Sequence, residues 1–263
     1  MKKRQNIDLL SFGADDVKNV EPSKLAQWAK KQIGVSCDLL SYQMECLARV
    51  QKGFADKPCS GGLFYKKRVL ESIAGIKSGF LNSEPYPECE LMKEDAKRVS
   101  RISKGISVAM PPPSGLMIED SYFNNRGDFI GALSEVYSKM MREQRDAGIK
   151  KHVLISDRFD STELDDLPHN KIFYFSPEGS SSVMKSILSV QDNIAVYSKK
   201  IPVLFEILNE YDVKNVIVVD GNISDFDLCM NHFDPDNIFM GGYCCKCPGS
   251  YWKDLKENAF LMV

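Results

Sequence analysis

The segment Lys171-Ile172-Phe173-Tyr174-Phe175-Ser176-Pro177-Glu178-Gly179-Ser180-Ser181-Ser182-Val183-Met184-Lys185 reads as one repeat of a parallel α/β sheet. Its apolar run stops at Ser176, breaks over Pro177-Glu178-Gly179 and restarts as a helix. A strand covered on both faces by crossover helices meets no water, so its sequence is continuously apolar rather than alternating. The same form recurs at Ile106–Met110, His152–Ser156, Asn193–Ser198, Asn215–Asp220 and Asn237–Met240. Helical stripes lie between them: Phe129, Ile130, Leu133, Val136, Tyr137 and Met140, closed by Gly148, and then Val203, Leu204, Ile207 and Leu208. The polar stretch 158–170, with Pro168, leaves room only for a turn or a short helix.

Before residue 105 the period is helical. Pro22 suits a first turn, and Leu25, Trp28, Ala29 and Ile33 share a face. Ser36 reads as the cap of a stripe through Cys37, Leu40, Met44 and Leu47, and Val69, Leu70, Ile73 and Ile76 read as a third helix despite Gly75. A basic amphipathic piece runs from Met92 to Lys104. The expectation is an open, parallel Rossmann-like sheet of about six strands over 106–263, with a helical subdomain over 1–105. An eight-stranded barrel would need two further strands hidden in the first hundred residues.

The 263 residues carry 34 basic and 36 acidic side chains, a formal charge of -2. That balance argues against a nucleic-acid-coating protein. No run is long and apolar enough to span a bilayer, and the amino-terminal apolar stretch is too short for a signal peptide. A cytoplasmic location follows as the expectation. The eight cysteines then read as reduced thiols rather than a disulfide framework.

Ligands of open parallel sheets bind beyond the carboxyl ends of the strands, where helix amino termini present unpaired N–H groups. Small, polar and acidic residues gather there: Ser156 and Asp157, Ser176, Asp220 and Asn222, and Gly241. Gly179, Ser180, Ser181 and Ser182 form an expected anion cradle, in which glycine permits close backbone approach. Asp157 and Asp220 could accept from ribose hydroxyls or hold a cation, with Asp225 and Asp227 close behind. Neither a dinucleotide fingerprint nor a P-loop is present.

Cys244, Cys245 and Cys247 could supply soft ligands to zinc. Gly241-Gly242-Tyr243-Cys244-Cys245, with Pro248, Trp252 and Leu255, resembles the zinc-binding G-G-C-C segment of cobalamin-type homocysteine methyltransferases. It differs by the inserted Tyr243. That resemblance implies a barrel and a further zinc cysteine from an earlier strand end, whereas the nearest upstream cysteine is Cys229. Two other constellations are weaker: Cys37 with His152 or His169 and Asp220, and Ser181 with Asp220 and His232.

The expected function is an enzyme binding a nucleotide-type or phosphorylated ligand, a group transferase for which S-adenosylmethionine is a candidate cofactor. The helical part would cover the site or make a homodimer contact. Zinc-thiolate methyl transfer is the alternative, and a ligand-sensing or interaction module without catalysis is a third class.

Overall fold

The computed structural model describes residues 3–17, 20–32, 36–244 and 250–263. The elements of the first half are β1 (Arg4–Asn6), β2 (Leu9–Ala14), α1 (Pro22–Ala29), α2 (Leu39–Gln51), β3 (Cys59–Gly61), α3 (Lys66–Glu71), β4 (Ile73–Lys77), β5 (Phe80–Pro87), α4 (Glu90–Ile102), β6 (Ser107–Met110) and β7 (Glu119–Asp120). Those of the second half are α5 (Arg126–Asp146), β8 (His152–Ile155), α6 (Ser161–Asp166), β9 (Ile172–Phe175), α7 (Ser181–Leu188), β10 (Asn193–Tyr197), α8 (Ile201–Ile207), β11 (Asn215–Val219), α9 (Ile223–Cys229), β12 (Ile238–Cys244), α10 (Tyr251–Asn258) and β13 (Phe260–Met262).

The six expected strands are present as β6, β8, β9, β10, β11 and β12, and their ladders are parallel. Two more parallel strands lie in the first hundred residues: β2 pairs with β12, and β3 pairs with β6. The expected helices of that part are present as α1, α2 and α4, with these strands between and before them. Isolated parallel bridges, Leu10 with Lys57 and Ala14 with Gly62, connect β2 to β3. Neighbours in space thus follow chain order from β2 through β3, β6, β8 and β9, and from β10 through β12 back to β2. No ladder joins β9 to β10 among the described residues. Gln191 spans that seam instead, accepting from the Tyr174 N–H at 2.9 Å and donating to the Tyr174 and Asn193 carbonyls at 3.1 and 2.7 Å.

The sheet curls until opposite strands touch. Phe12 of β2 stacks on Phe175 of β9 at 4.8 Å and lies 5.2 Å from Phe173, while Phe175 meets Tyr243 of β12 at 5.3 Å. One inner cluster joins Phe12, Cys59, Ala109, Val153, Ile155, Phe175, Ala195, Ile217, Val219 and Tyr243. Each of β2, β3, β6, β8, β9, β10, β11 and β12 contributes to it, which is the side-chain filling of a barrel-like interior rather than one face of an open sheet. Close approach of β2, β3 and β6 requires glycine: a Cβ on Gly61 (φ 87°) would lie 2.3 Å from the Ala109 carbonyl oxygen.

Outside this interior, α5 packs the expected stripe inward, with Leu133, Tyr137 and Met140 fully buried, and Asn125 caps it through the Gly127 and Asp128 N–H groups. Two local expectations change. Helix α2 is capped by Asp38 rather than Ser36, leaving Cys37 outside the helix. Residues 73–87 form the hairpin β4–β5, in which Gly75 sits at a bulge and Ser78-Gly79, both at positive φ, make a two-residue turn.

Candidate functional site

Because the strands run parallel, their carboxyl ends share one rim. The residues immediately beyond them are Asp15 after β2, Pro111 after β6, Ser156-Asp157 after β8, Ser176 after β9, Ser198 after β10 and Asp220 after β11. Among these, Asp220 is set apart by its backbone, which lies in the left-handed region at φ 52°. A non-glycine residue there is strained by about 1–2 kcal/mol.

The Asp220 carboxylate accepts from the Tyr251 hydroxyl at 2.5 Å, and its Oδ2 has no hydrogen-bond partner among the described residues. Desolvation raises the Asp220 carboxyl above the ordinary range, and the Tyr251 hydrogen bond acts in the opposite direction. Burial, and then the adjacent Asp220 charge, raise the Tyr251 phenol, while the Tyr243 backbone amide works to lower it. The phenol therefore stays protonated and donates to Asp220. Beside this pair, the Tyr243 hydroxyl donates to Asp15, tying the end of β12 to the end of β2. The Asp220–Tyr251 pair supplies a carboxylate with one open oxygen and a phenol at its side, suited to holding an ammonium or exchanging a proton.

The other expected residues fall into separate hydrogen-bonded groups. Asp157 accepts from the Ser176 hydroxyl and the Glu178 N–H, both at 2.7 Å, and Ser176 accepts from the Gly179 N–H at 3.0 Å. Ser180 caps α7 and lies 3.2 Å from the Ser182 hydroxyl, with Ser181 the first helical residue. Ser156 closes a local turn with Arg158. Asn222 caps α9 in a reciprocal box with Asp225, and Asp225 accepts from Ser198 at 2.7 Å. Gly241 lies within β12 rather than beyond its end; a Cβ there would meet Ile217, Phe12 and Val219 within about 3.1 Å, so its smallness admits the inner cluster.

Sequence reasoning missed Asp15, Tyr243 and Tyr251, whose partners lie 228 and 31 residues away. It also missed Glu163, buried under the rim, which accepts from the Ser114 N–H and hydroxyl at 2.8 and 2.7 Å and from the Asp160 N–H at 2.9 Å. Desolvation raises this carboxyl, with the Ser114 bonds opposing the shift. The signal available for it was the capping-box spacing Asp160 to Glu163.

The histidines make structural contacts. Buried His152 bonds Gln144 at 3.0 Å, His169 lies 2.5 Å from the Leu164 carbonyl, and His232 packs on Phe205 at 4.0 Å. Of the cysteine cluster, Cys245 and Cys247 lie outside the described residues. Cys244, buried at the end of β12, is disulfide-bonded, so its sulfur is not the thiolate that zinc requires and the expectation of reduced thiols fails there. Among the described residues no three His, Cys, Asp or Glu side chains gather as a metal-ligand set. Nor is any described helix long and apolar enough to cross a membrane.

No family model matches the chain, and no curated protein matches it. Solved structures resemble it over nearly their whole lengths, among them the following two. A putative vitamin-B12-independent methionine synthase from Listeria monocytogenes superimposes with TM-score 0.61 at 14% identity, covering 95% of this chain and 96% of that one. A B12-independent methionine synthase from Shewanella sp. W3-18-1, in complex with selenomethionine, gives TM-score 0.56 at 12% identity, covering 97% and 96%. These likenesses are of barrel-type enzymes. They overturn the expected Rossmann-like enzyme with a nucleotide-type or S-adenosylmethionine ligand. The physical reason lies in the strand order: a doubly wound sheet binds its ligand where the order reverses, and neighbours in chain order make no such crevice.

Proposed function

We propose that the chain is a barrel-type enzyme acting at the carboxyl-end rim, in a reaction related to methyl transfer, on a small amino acid carrying a thioether or its thiol counterpart. The observation that carries this reading is Asp220, strained in its backbone, paired with Tyr251 and left with one open carboxylate oxygen. An α-ammonium group is the ligand chemistry such an oxygen takes, and the likeness to methionine synthases, one holding selenomethionine, supplies the amino-acid class. Tyr251 fixes the carboxylate so that Oδ2 alone faces the ligand. The turn from Gly179 to Ser182 is the proposed partner for the carboxylate, through the amides that open α7. Asp157 and Ser176 hold that turn in place.

Calorimetric titration with methionine and with selenomethionine tests this. Saturable binding is expected, weakened roughly tenfold or more in Asp220→Asn, because a charge-assisted hydrogen bond becomes a neutral one. Tyr251→Phe should weaken it less. Absence of binding to the unaltered protein, or equal binding by Asp220→Asn, would remove the proposal.

A further inference from the structure

We propose a second ligand site at the opposite, amino-terminal mouth of the sheet, built for a small organic monoanion with a flat apolar body, such as an arylcarboxylate. A cavity of about 240 Å³ opens there. Its floor is the inner cluster itself: Phe12, Val153 and Ile217, all nearly inaccessible to solvent, line it from below. Phe173 and Phe239 add aromatic walls. Such a floor takes an apolar group, and the volume is below the usual 300–1,000 Å³ of drug-sized sites, which restricts the occupant to a body of about one ring.

The rim sets the charge. Two ammonium groups, Lys57 and Lys151, border the cavity, and among the described residues no carboxylate lines it. Lys57 lies 3.5 Å from Asp8 and 5.3 Å over the Phe239 ring, so its charge is already answered. Lys151 has no ion pair or side-chain hydrogen bond among the described residues, although it borders a cavity lined by aromatic surface. One ammonium thus remains uncompensated, and one negative charge on the occupant matches it. Ser107 and Asn215 stand at the same rim, and Asn215, which donates one amide N–H to Asn193, offers its carbonyl oxygen to a bridging water or a hydroxyl substituent. This assignment is independent of the carboxyl-end rim.

Benzoate, neutral benzamide and cationic benzylamine are the probes, titrated against the full chain and followed by methyl NMR signals of Val153 and Ile217. The expected result is saturable benzoate binding that moves both signals, with benzamide roughly tenfold weaker and benzylamine not binding, since the ion-assisted hydrogen bond is lost and then reversed. Lys151→Met, an exposed change that keeps the stem, should weaken benzoate about tenfold. Lys151→Arg should restore most of that affinity, and Asp220→Asn should leave it unchanged. No benzoate binding, equal binding of benzamide, unmoved Val153 and Ile217 signals, or undiminished affinity in Lys151→Met would each overturn the site.

Discussion

Replacing Phe12 and Phe175 with leucine, singly and together, probes the curl of the sheet through energy. The two rings belong to β2 and β9, which share no ladder, yet they stack at 4.8 Å and are 2% and 0% exposed. Each change keeps the site apolar, so each single variant should lose about 1–1.5 kcal/mol of folding stability. That leaves a measurable transition in a domain of ordinary stability, about 5–15 kcal/mol. An aromatic pair contributes about 0.5–1.5 kcal/mol beyond the area it buries. The double variant should therefore lose about 1 kcal/mol less than the two single losses added. Equilibrium urea unfolding of the four proteins, with shared slopes, measures this coupling. Independent sites add to within about 0.5 kcal/mol, so strict additivity would mean that the rings do not meet and that the interior is wrongly described.

Burial drives the His152 pKa down to about 3, with Arg145 adding to the shift. The unfolded histidine protonates near 6.5 while the folded one stays neutral, so stability is complete above about pH 6.5 and falls as the pH drops toward 3. His152→Leu should flatten that slope in unfolding curves taken across the window; an unchanged slope would contradict it. Gly61 and Gly53 share φ 87°, but a Cβ on Gly61 would strike the Ala109 backbone whereas one on Gly53 meets nothing within 4 Å. Gly53→Ala should cost about 1 kcal/mol from backbone strain alone, and Gly61→Ala at least about 2 kcal/mol more, by thermal or urea unfolding. Equal losses would sink the close-approach explanation. Glu163→Ala strands the Ser114 and Asp160 donors and should destabilise by about 2–4 kcal/mol, while Glu163→Gln, which keeps an acceptor, should lose less than half as much. Hydrogen exchange at the Ser114 amide should rise in both.

The parallel α/β character was legible because β8, β9, β10 and β11 are unbroken apolar runs ending in a polar residue. The barrel-like order was not, because it turns on two strands that carry almost no signal. β3 is Cys-Ser-Gly, three small residues without a strong β propensity, and its Gly61 sits where a Cβ would strike β6. β2 is Leu-Leu-Ser-Phe-Gly-Ala, whose Phe12 owes its role to a ring 163 positions away in sequence, Phe175, which no local pattern can announce. The third expected helix failed for a local reason: Gly75, read as a weak helix position, is the bulge of a hairpin whose turn is Ser78-Gly79. At the rim, carboxyl-terminal strand residues were readable from the sudden appearance of Ser and Asp after apolar runs. Their partners were not. Asp220 was visible as an acid, but Tyr251 reaches it from a helix beyond the cysteine cluster, and Asn222 was visible as polar although its side chain is spent on capping α9.

The central claim is that β2 closes against β12 so that strands from both ends of the chain enclose one interior. Nuclear Overhauser contacts in isotope-labelled protein test it most directly. The account predicts backbone cross-peaks in parallel register between Leu9 and Met240 and between Leu10 and Gly241, together with ring contacts from Phe12 to Phe175. Cross-peaks showing β2 antiparallel to β12, or placing it beside neither β12 nor β3, would contradict the fold and the shared rim built on it.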